Sequence, residues 1–285
     1  MTVAQLLNKG KTYLLKHKIP QSALDAELLL MEAVGFSRVQ LYTKSQEEIS
    51  QELRIKYEQL LEQRVQGIPV QYLKGAQEFM GLLFRVTPAV LIPRPDTEIL
   101  VETVIAYDEE ENFQMLGEIG TGSGCISISL CHYLPNVQIV AGDISKEALQ
   151  VAKQNAGRLQ VSQRMEWIES NLFQSFSPSY RGRLDAIVSN PPYIPTTEIP
   201  ELMREVREYE PYHALDGGMD GLDFYRRIIQ EGHPFLKPEG LFFFEVGKGQ
   251  APEVAYLLRK AGYGQIEIKK DLAGIERVVI GRGYI

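Results

Sequence analysis

From residue 114 onward, short β-rich runs alternate with stretches of helical spacing, and this alternation constrains the fold more than any other feature. The strand candidates are 114–119, 137–142, 165–169, 184–189, 241–246, 265–268 and 277–281. Helices fit at 123–133, 145–157, 220–232 and 251–261. Repeated β-α units build a mainly parallel sheet, because each crossover helix returns the chain to the same edge. The last two runs leave no room for a helix between them, so they form an antiparallel pair. The expected fold is α/β: a doubly wound, mostly parallel, seven-stranded Rossmann-like sheet with helices on both faces.

The first third of the chain reads differently. Residues 1–66 carry helical patterning, with Leu6, Leu7, Tyr13 and Leu14 at helical spacing. A second helix follows Pro20, with Ser22 as its N-cap, and a third runs from Ser45 to Val65. A small helical bundle results, serving either packing or, as adopted here, substrate docking. Between Gly67 and Pro95, the runs 70–73, 84–86 and 90–92 are split by Gly75 and Gly81. They suggest a β-hairpin connector over 67–95. A catalytic domain over 96–285 then opens with a helix from Asp96 to about Ile105, followed by a solvated acidic turn, Asp108 to Glu111.

Charge and residue counts exclude several functions. A net charge of −7 over 285 residues argues against a stable grip on nucleic acid, where phosphate contacts demand a basic surface. Two cysteines, Cys125 and Cys131, make neither a disulfide framework nor a four-ligand zinc site. The four histidines show no ligand spacing, so no metal is assigned. No apolar run reaches the ~20 residues of a membrane span, and the N-terminal stretch lacks a signal-peptide core. A cytoplasmic monomer without membrane attachment is expected.

The first β-α turn reads Glu118-Ile119-Gly120-Thr121-Gly122-Ser123-Gly124. Glycines let the backbone turn sharply and approach a ligand closely. A dinucleotide fingerprint would need Gly or Ala where Cys125 stands, and the glycines fall instead at alternate positions. The second strand ends at Asp143, where a carboxylate can accept the two hydroxyls of a ribose. Glu118 suits an ammonium. Each has a plainer reading, Glu118 as a strand-end charge and Asp143 as a helix cap. Together they suit a ligand with an amino acid at one end, a ribose in the middle and no pyrophosphate, which describes S-adenosyl-L-methionine. Asn171 stands where an amide could meet the adenine edge, unless it only forms a turn, and Ile144 or Leu172 could cover the adenine face.

The fourth strand, LDAIVS, leads into Asn190-Pro191-Pro192-Tyr193. The prolines fix φ and forbid an immediate helix, so the loop is stiff at the sheet edge where ligands bind. The Asn190 side-chain oxygen and the Pro191 carbonyl form two convergent acceptors for a planar NH₂ group, and Tyr193 offers a face to lie against it. Such a clamp suits methylation of a poor nitrogen nucleophile. It does not by itself separate an amide from an adenine amine.

Asn-Pro-Pro-Tyr resembles the hallmark of class I S-adenosylmethionine-dependent methyltransferases that act on planar nitrogen. The likeness extends through VLIPRPDTE at 90–98, EIGTGSGCISISL at 118–130, SNPPYIP at 189–195, ALDGGMDGLDFYRRI at 214–228 and EVGKGQ at 245–250. These segments, with GIPVQYLKGAQEFMGLLFRV at 67–86, are similar to the bacterial release-factor glutamine N5-methyltransferase family, also called HemK. The resemblance implies methylation of the glutamine in the Gly-Gly-Gln motif of peptide chain release factors. It implies a cofactor site at Gly120, Thr121, Gly122, Gly124, Asp143 and Asn171, and a catalytic loop at Asn190, Pro191, Pro192 and Tyr193. It also implies that Phe79 and Arg94 lie close to the active site, with Arg94 either in the substrate groove or in an ion pair. Two departures from the family pattern are visible: Glu118-Ile119 for Asp-Leu, and Asn171 for Asp. A ribosomal-protein glutamine methyltransferase and an adenine N6 methyltransferase stand as alternatives.

Overall fold

Stretches far apart in sequence share a core in the structure, a computed structural model that describes residues 1–283. Met1–Ala76 and Met203–Tyr209 make one unit, and Gln77–Leu202 with the chain from Glu210 onward make a second.

In the first unit the helices are α1 (Val3–Lys16), α2 (Ser22–Val34), α3 (Arg38–Thr43), α4 (Gln51–Val65) and α5 (Val70–Lys74). Thr2 caps α1 by accepting from Gln5 N, while the Gln5 side chain accepts from Thr2 N. The buried face of α1 is Val3, Leu6, Leu7, Gly10 and Leu14. A Cβ at Gly10 would lie 1.8 Å from the Tyr57 hydroxyl, so only glycine lets Tyr57 pass and donate to Ala26 O at 3.0 Å. Arg64 pairs with buried Asp25 at 2.7 Å and with Glu205, in the 203–209 segment, at 2.6 Å.

Several local expectations change. The helix expected from Ser45 starts at Gln51, capped by Ser50, and is preceded by α3. Ser22 is the first residue of α2 and not its cap. The apolar run 70–73 is helical: Pro69 sets its start and Gly75, at φ 67°, its end. The hairpin is β1 (Ala76–Phe79) and β2 (Leu82–Arg85), turned through Met80 at φ 51° and Gly81 at φ 69°. Residues 90–92 form no strand. The stretch 67–95 is therefore divided between the two units.

The second unit continues with α6 (Pro95–Glu111), β3 (Met115–Ile119), α7 (Cys125–Tyr133), β4 (Gln138–Asp143), α8 (Lys146–Arg158), β5 (Met165–Glu169) and β6 (Leu184–Ser189). After α9 (Arg204–Tyr209), which belongs to the first unit, come α10 (Asp223–Gly232), β7 (Leu236–Glu245), α11 (Ala251–Lys260), β8 (Gln265–Lys270) and β9 (Glu276–Arg282). The acidic stretch 108–111 is the last turn of α6, closed by Asn112 at φ 53°.

Seven strands lie in the order β5-β4-β3-β6-β7-β9-β8. All neighbours are parallel except at β9, which runs antiparallel to both β7 and β8. Alternate residues feed two cores. Leu116, Ile139, Ala141, Ala186, Val188 and Phe243 pack with α6 and α7, while Ile119, Val140, Ile187, Phe242 and Phe244 pack with α10 and α11. Phe79 sits in the first of these cores, 1% exposed, with its ring edge-on to Phe84. Among the described residues no helix is long and apolar enough to cross a membrane.

Candidate active site

β3 and β6 are neighbours, yet the chain after β3 winds outward to β4 and β5, and after β6 it winds the other way. At such a reversal the loops leaving the two central strands separate and open a crevice. Ile119 pairs with Ser189, so Gly120 and Asn190 leave the sheet side by side, and Ser189 Oγ donates to Ile119 O at 2.7 Å. A cavity of about 260 Å³ occupies this place. Gly120, Gly122, Asp143, Ile144, Asn171, Leu172, Asn190, Pro191 and Pro192 all line it.

The glycine loop is held from below. Gly120 N and Thr121 N both donate to Gly142 O, and Gly122 N donates to Asp143 Oδ2 at 2.8 Å. All three glycines have positive φ, the region that side chains disfavour. Their surroundings differ. A Cβ at Gly124 would meet Ile128 and Ala152, so that glycine serves helix packing, whereas Gly122 faces open space on the cavity side. Asp143 Oδ1 accepts from Ser145 N at 2.8 Å, while Ser145 itself caps α8. Each carboxylate oxygen of Asp143 therefore keeps a lone pair for a ribose hydroxyl. Burial raises the Asp143 pKa, and these N–H groups and His213 oppose the rise.

Glu118 stands behind the loop and does not line the cavity. It is 1% exposed; Thr121 Oγ1 donates to its Oε2 at 2.6 Å, and its Oε1 has no partner. Burial pushes its pKa up to about 7, and the hydroxyls of Ser127 and then Thr121 oppose the rise. An orphaned carboxylate oxygen beside an open glycine turn is a demand for a cationic donor. The ammonium of S-adenosylmethionine meets that demand, so the residues present fit the cofactor.

On the other side, Asn190 Nδ2 donates to Thr97 Oγ1 at 3.1 Å, which leaves Oδ1 as the end available to a substrate. The loop after it is strapped down. Ile194 bridges to Asp216 in parallel register, and Gln250 Nε2 donates to Tyr193 O at 2.9 Å. A Cβ on Gly217 would lie 2.8 Å from the Tyr193 backbone, and one on Gly221 2.3 Å from Tyr193 O. The glycine-rich stretch 214–221 is thus the bed on which Tyr193 rests. Burial raises the pKa of the Tyr193 hydroxyl.

Other positions depart from expectation. Arg94 does not line the cavity; it forms an ion pair with buried Glu210, Nη2 to Oε1 at 2.5 Å. Asn171 Oδ1, expected to face adenine, accepts from Arg227 Nη2 at 3.1 Å, so one of its lone pairs is already engaged. Leu172 is buried at φ 52°, a strained conformation for a side-chain residue, and holds the turn against the wall. Thr121, Gly124 and Tyr193 support the walls without lining them. The sequence reading missed Ala89, Val90, Leu91, Pro211, His213, Phe224 and Arg227, which all line the cavity. Val90, Leu91, Phe224 and Arg227 at least fall inside the quoted stretches 90–98 and 214–228; Ala89, Pro211 and His213 lie just outside them. Among the described residues, no group of three or more His, Cys, Asp or Glu could hold a metal ion.

Comparison with known proteins bears on this geometry. Residues 5–75 match the profile of the PrmC N-terminal domain, and residues 95–206 match the methyltransferase small domain. The release factor glutamine methyltransferase of Clostridium acetobutylicum is 42% identical over 257 residues, covering 90% of each chain. That of Geobacter sulfurreducens is 41% identical over 281 residues, 99% of this chain and 96% of the other. Among solved structures, a methyltransferase from Pyrococcus furiosus has a TM-score of 0.51 and 18% identity, over 73% of this chain and 91% of its own. That last likeness carries the fold alone.

Proposed function

The chain belongs to the release factor glutamine methyltransferase family, and from that premise we propose that its cavity methylates the side-chain amide nitrogen (N5) of the glutamine in the Gly-Gly-Gln motif of peptide chain release factors. S-adenosyl-L-methionine, when bound, supplies an electrophilic methyl group on a positively charged sulfur. Glu118 and the Gly120–Gly124 turn would hold its amino-acid end, Asp143 its ribose, and Ile144, Asn171 and Leu172 its adenine.

The observation that carries this reading is the adjacency of the glycine turn and the Asn190 loop on paired strands, with the Asn190 nitrogen tied back to Thr97. The acceptors left at the cavity, Asn190 Oδ1 and the Pro191 carbonyl, complement the two hydrogens of a primary amide. Accepting those hydrogens raises electron density on a nitrogen whose lone pair is otherwise delocalised. Orientation then contributes most of the acceleration; well-aligned encounters are worth roughly 7–11 kcal/mol. No base is needed before attack, since the proton leaves once the methyl has arrived. A release-factor substrate carries with it a cytoplasmic setting.

The test incubates the protein and labelled S-adenosylmethionine separately with release factor, ribosomal proteins and DNA, and locates the methyl group by mass spectrometry. Label on the Gly-Gly-Gln glutamine is the expected result. Label on a ribosomal-protein glutamine or on adenine N6, with none on the release factor, overturns it.

A further inference from the structure

The clamp has no backbone anchor in its own middle. Pro191 and Pro192 lack an N–H, so neither can donate a hydrogen bond to a neighbouring segment. The near end is fixed by β6, through the pairing of Ser189 with Ile119. The far end is the Tyr193–Ile194 peptide, whose two polar groups are taken by two separate segments. Ile194 N donates to Leu215 O at 3.1 Å, and Tyr193 O accepts from Gln250 Nε2 at 2.9 Å. Among the described residues, no other donor meets Tyr193 O.

Gln250 stands at the cap position of α11, yet its side chain does not cap that helix. It turns backward instead. Gly247 N donates to Gln250 Oε1 at 3.0 Å, and Gln250 N donates to Gly247 O at 3.1 Å, closing a ring across the turn after β7. With Oε1 held by a donor, Nε2 is the end that faces outward, and it reaches Tyr193 O and, at 3.4 Å, Gly221 O. Two glycines make the room: a Cβ at Gly247 would lie 2.7 Å from Gln250 Oε1 and 3.0 Å from the Tyr193 ring, and one at Gly221 2.6 Å from Gln250 Nε2. One side chain thus joins the loops after β6 and β7 to the bed before α10.

We propose that Gln250 is a positioning residue for methyl transfer: its amide, nitrogen toward Tyr193, fixes the far end of the clamp, and with it the Pro191 carbonyl and the Tyr193 ring against the substrate nitrogen. The proposal rests on the reading of the cavity as an amide-methylating site, and part of its test does not depend on methylation. The position requires a donor toward Tyr193 O and an acceptor toward Gly247 N, and a glutamine amide supplies both. Glutamate has the same shape and still accepts from Gly247 N, but it sets a carboxylate oxygen against the Tyr193 carbonyl, two acceptors with no proton between them. Methionine has similar length and offers neither.

The full-length protein is compared with Gln250→Glu and Gln250→Met at about pH 8.5, where a glutamate is ionised. Gln250→Met lowers kcat on release factor by about tenfold, and Gln250→Glu by about threefold more, because repulsion displaces the loop further than a lost bond does. Cofactor affinity, read by calorimetry, stays within about twofold of the parent in both variants. A role in packing alone predicts the opposite order, with the isosteric glutamate the milder change. Independently, backbone hydrogen exchange speeds up in both variants at Ile194 and at Gly217, whose N–H donates to Ile194 O at 2.8 Å, while exchange in β3 and β4 stays as in the parent. The proposal is overturned by kcat within about twofold of the parent in Gln250→Met, by Gln250→Glu at least as active as Gln250→Met, by cofactor affinity that falls in step with kcat, or by unchanged exchange at Ile194 and Gly217. Faster exchange in β3 and β4 as well marks a general loosening and overturns it too. A parent that methylates no release factor sinks the functional reading, while the exchange measurement still decides whether Gln250 holds the loop.

Discussion

Glu118 carries two consequences that follow from burial alone. Its folded-state pKa, about 7, stands above the ordinary 4.5, so the folded protein binds more protons than the unfolded chain between those values. Its contribution to stability is full below about pH 4.5 and is lost as pH rises through about 7. The melting temperature of the cofactor-free protein should therefore fall more steeply from about pH 5 to 8 than that of Glu118→Gln; equal slopes would contradict the assignment. An ammonium opposite the orphaned oxygen prefers the ionised form, so cofactor affinity should rise with pH through the same range in the parent and stay flat in Glu118→Gln, as calorimetric titration would read. Asp143→Ala should weaken cofactor binding by more than about tenfold, roughly 1.4 kcal/mol. Asn190→Ala should abolish transfer and leave cofactor affinity within a few-fold, because Asn190 faces the substrate. That Asp143 and Asn190 line the cavity was legible because each sits at a strand end beside a turn whose residue types announce close backbone approach; Glu118 stands behind that lining. Thr97, Gln250 and His213 were not legible. They stand many residues from the groups they touch, and no local pattern distinguishes a threonine in the first turn of a helix from one that accepts from a distant amide.

At the scale of elements, the strand that ends in Asn190 is positioned by its neighbours, and the loop beyond it by the glycines of 217–221. Gly221 combines φ 74° with a phantom Cβ 2.3 Å from Tyr193 O. Gly221→Ala should displace Tyr193 and the loop it ends, lowering kcat by about tenfold or more, since errors of ~1 Å at a reacting centre are costly. Cofactor affinity should change little, and a variant with unaltered kcat would mean that the bed is not rigid. The strands of the large sheet could be read from β-rich runs alternating with helical spacing; the reversal at β3 and β6 could not, because strand order leaves no local pattern. Short elements could not. Val70–Leu73 has the composition of a strand, yet Pro69 and Gly75 close it into one helical turn. The acidic run 108–111 looked like a turn, yet the apolar face of α6 carries it on as helix.

For the molecule as a whole, the first unit depends on a buried pair that composition does not reveal. Arg64 and Asp25 are nearly inaccessible, with side chains 7% and 4% exposed. Arg64→Met strands the Asp25 charge and should cost about 3–5 kcal/mol, read as a lowered midpoint of helical unfolding by circular dichroism. Replacing both, Arg64→Met with Asp25→Leu, should recover most of that loss; no recovery would mean that packing, and not charge, was removed. The other partner of Arg64, Glu205, reaches it from a segment whose neighbours on both sides belong to the second unit. The chain therefore passes between units after Ala76, after Leu202 and again after Tyr209. Parts joined end to end can be exchanged between genes with a single break, but these cannot. A recombination event at residue 76 would hand the incoming helical partner a foreign α9, so the helices and the stretch 203–209 must be inherited together.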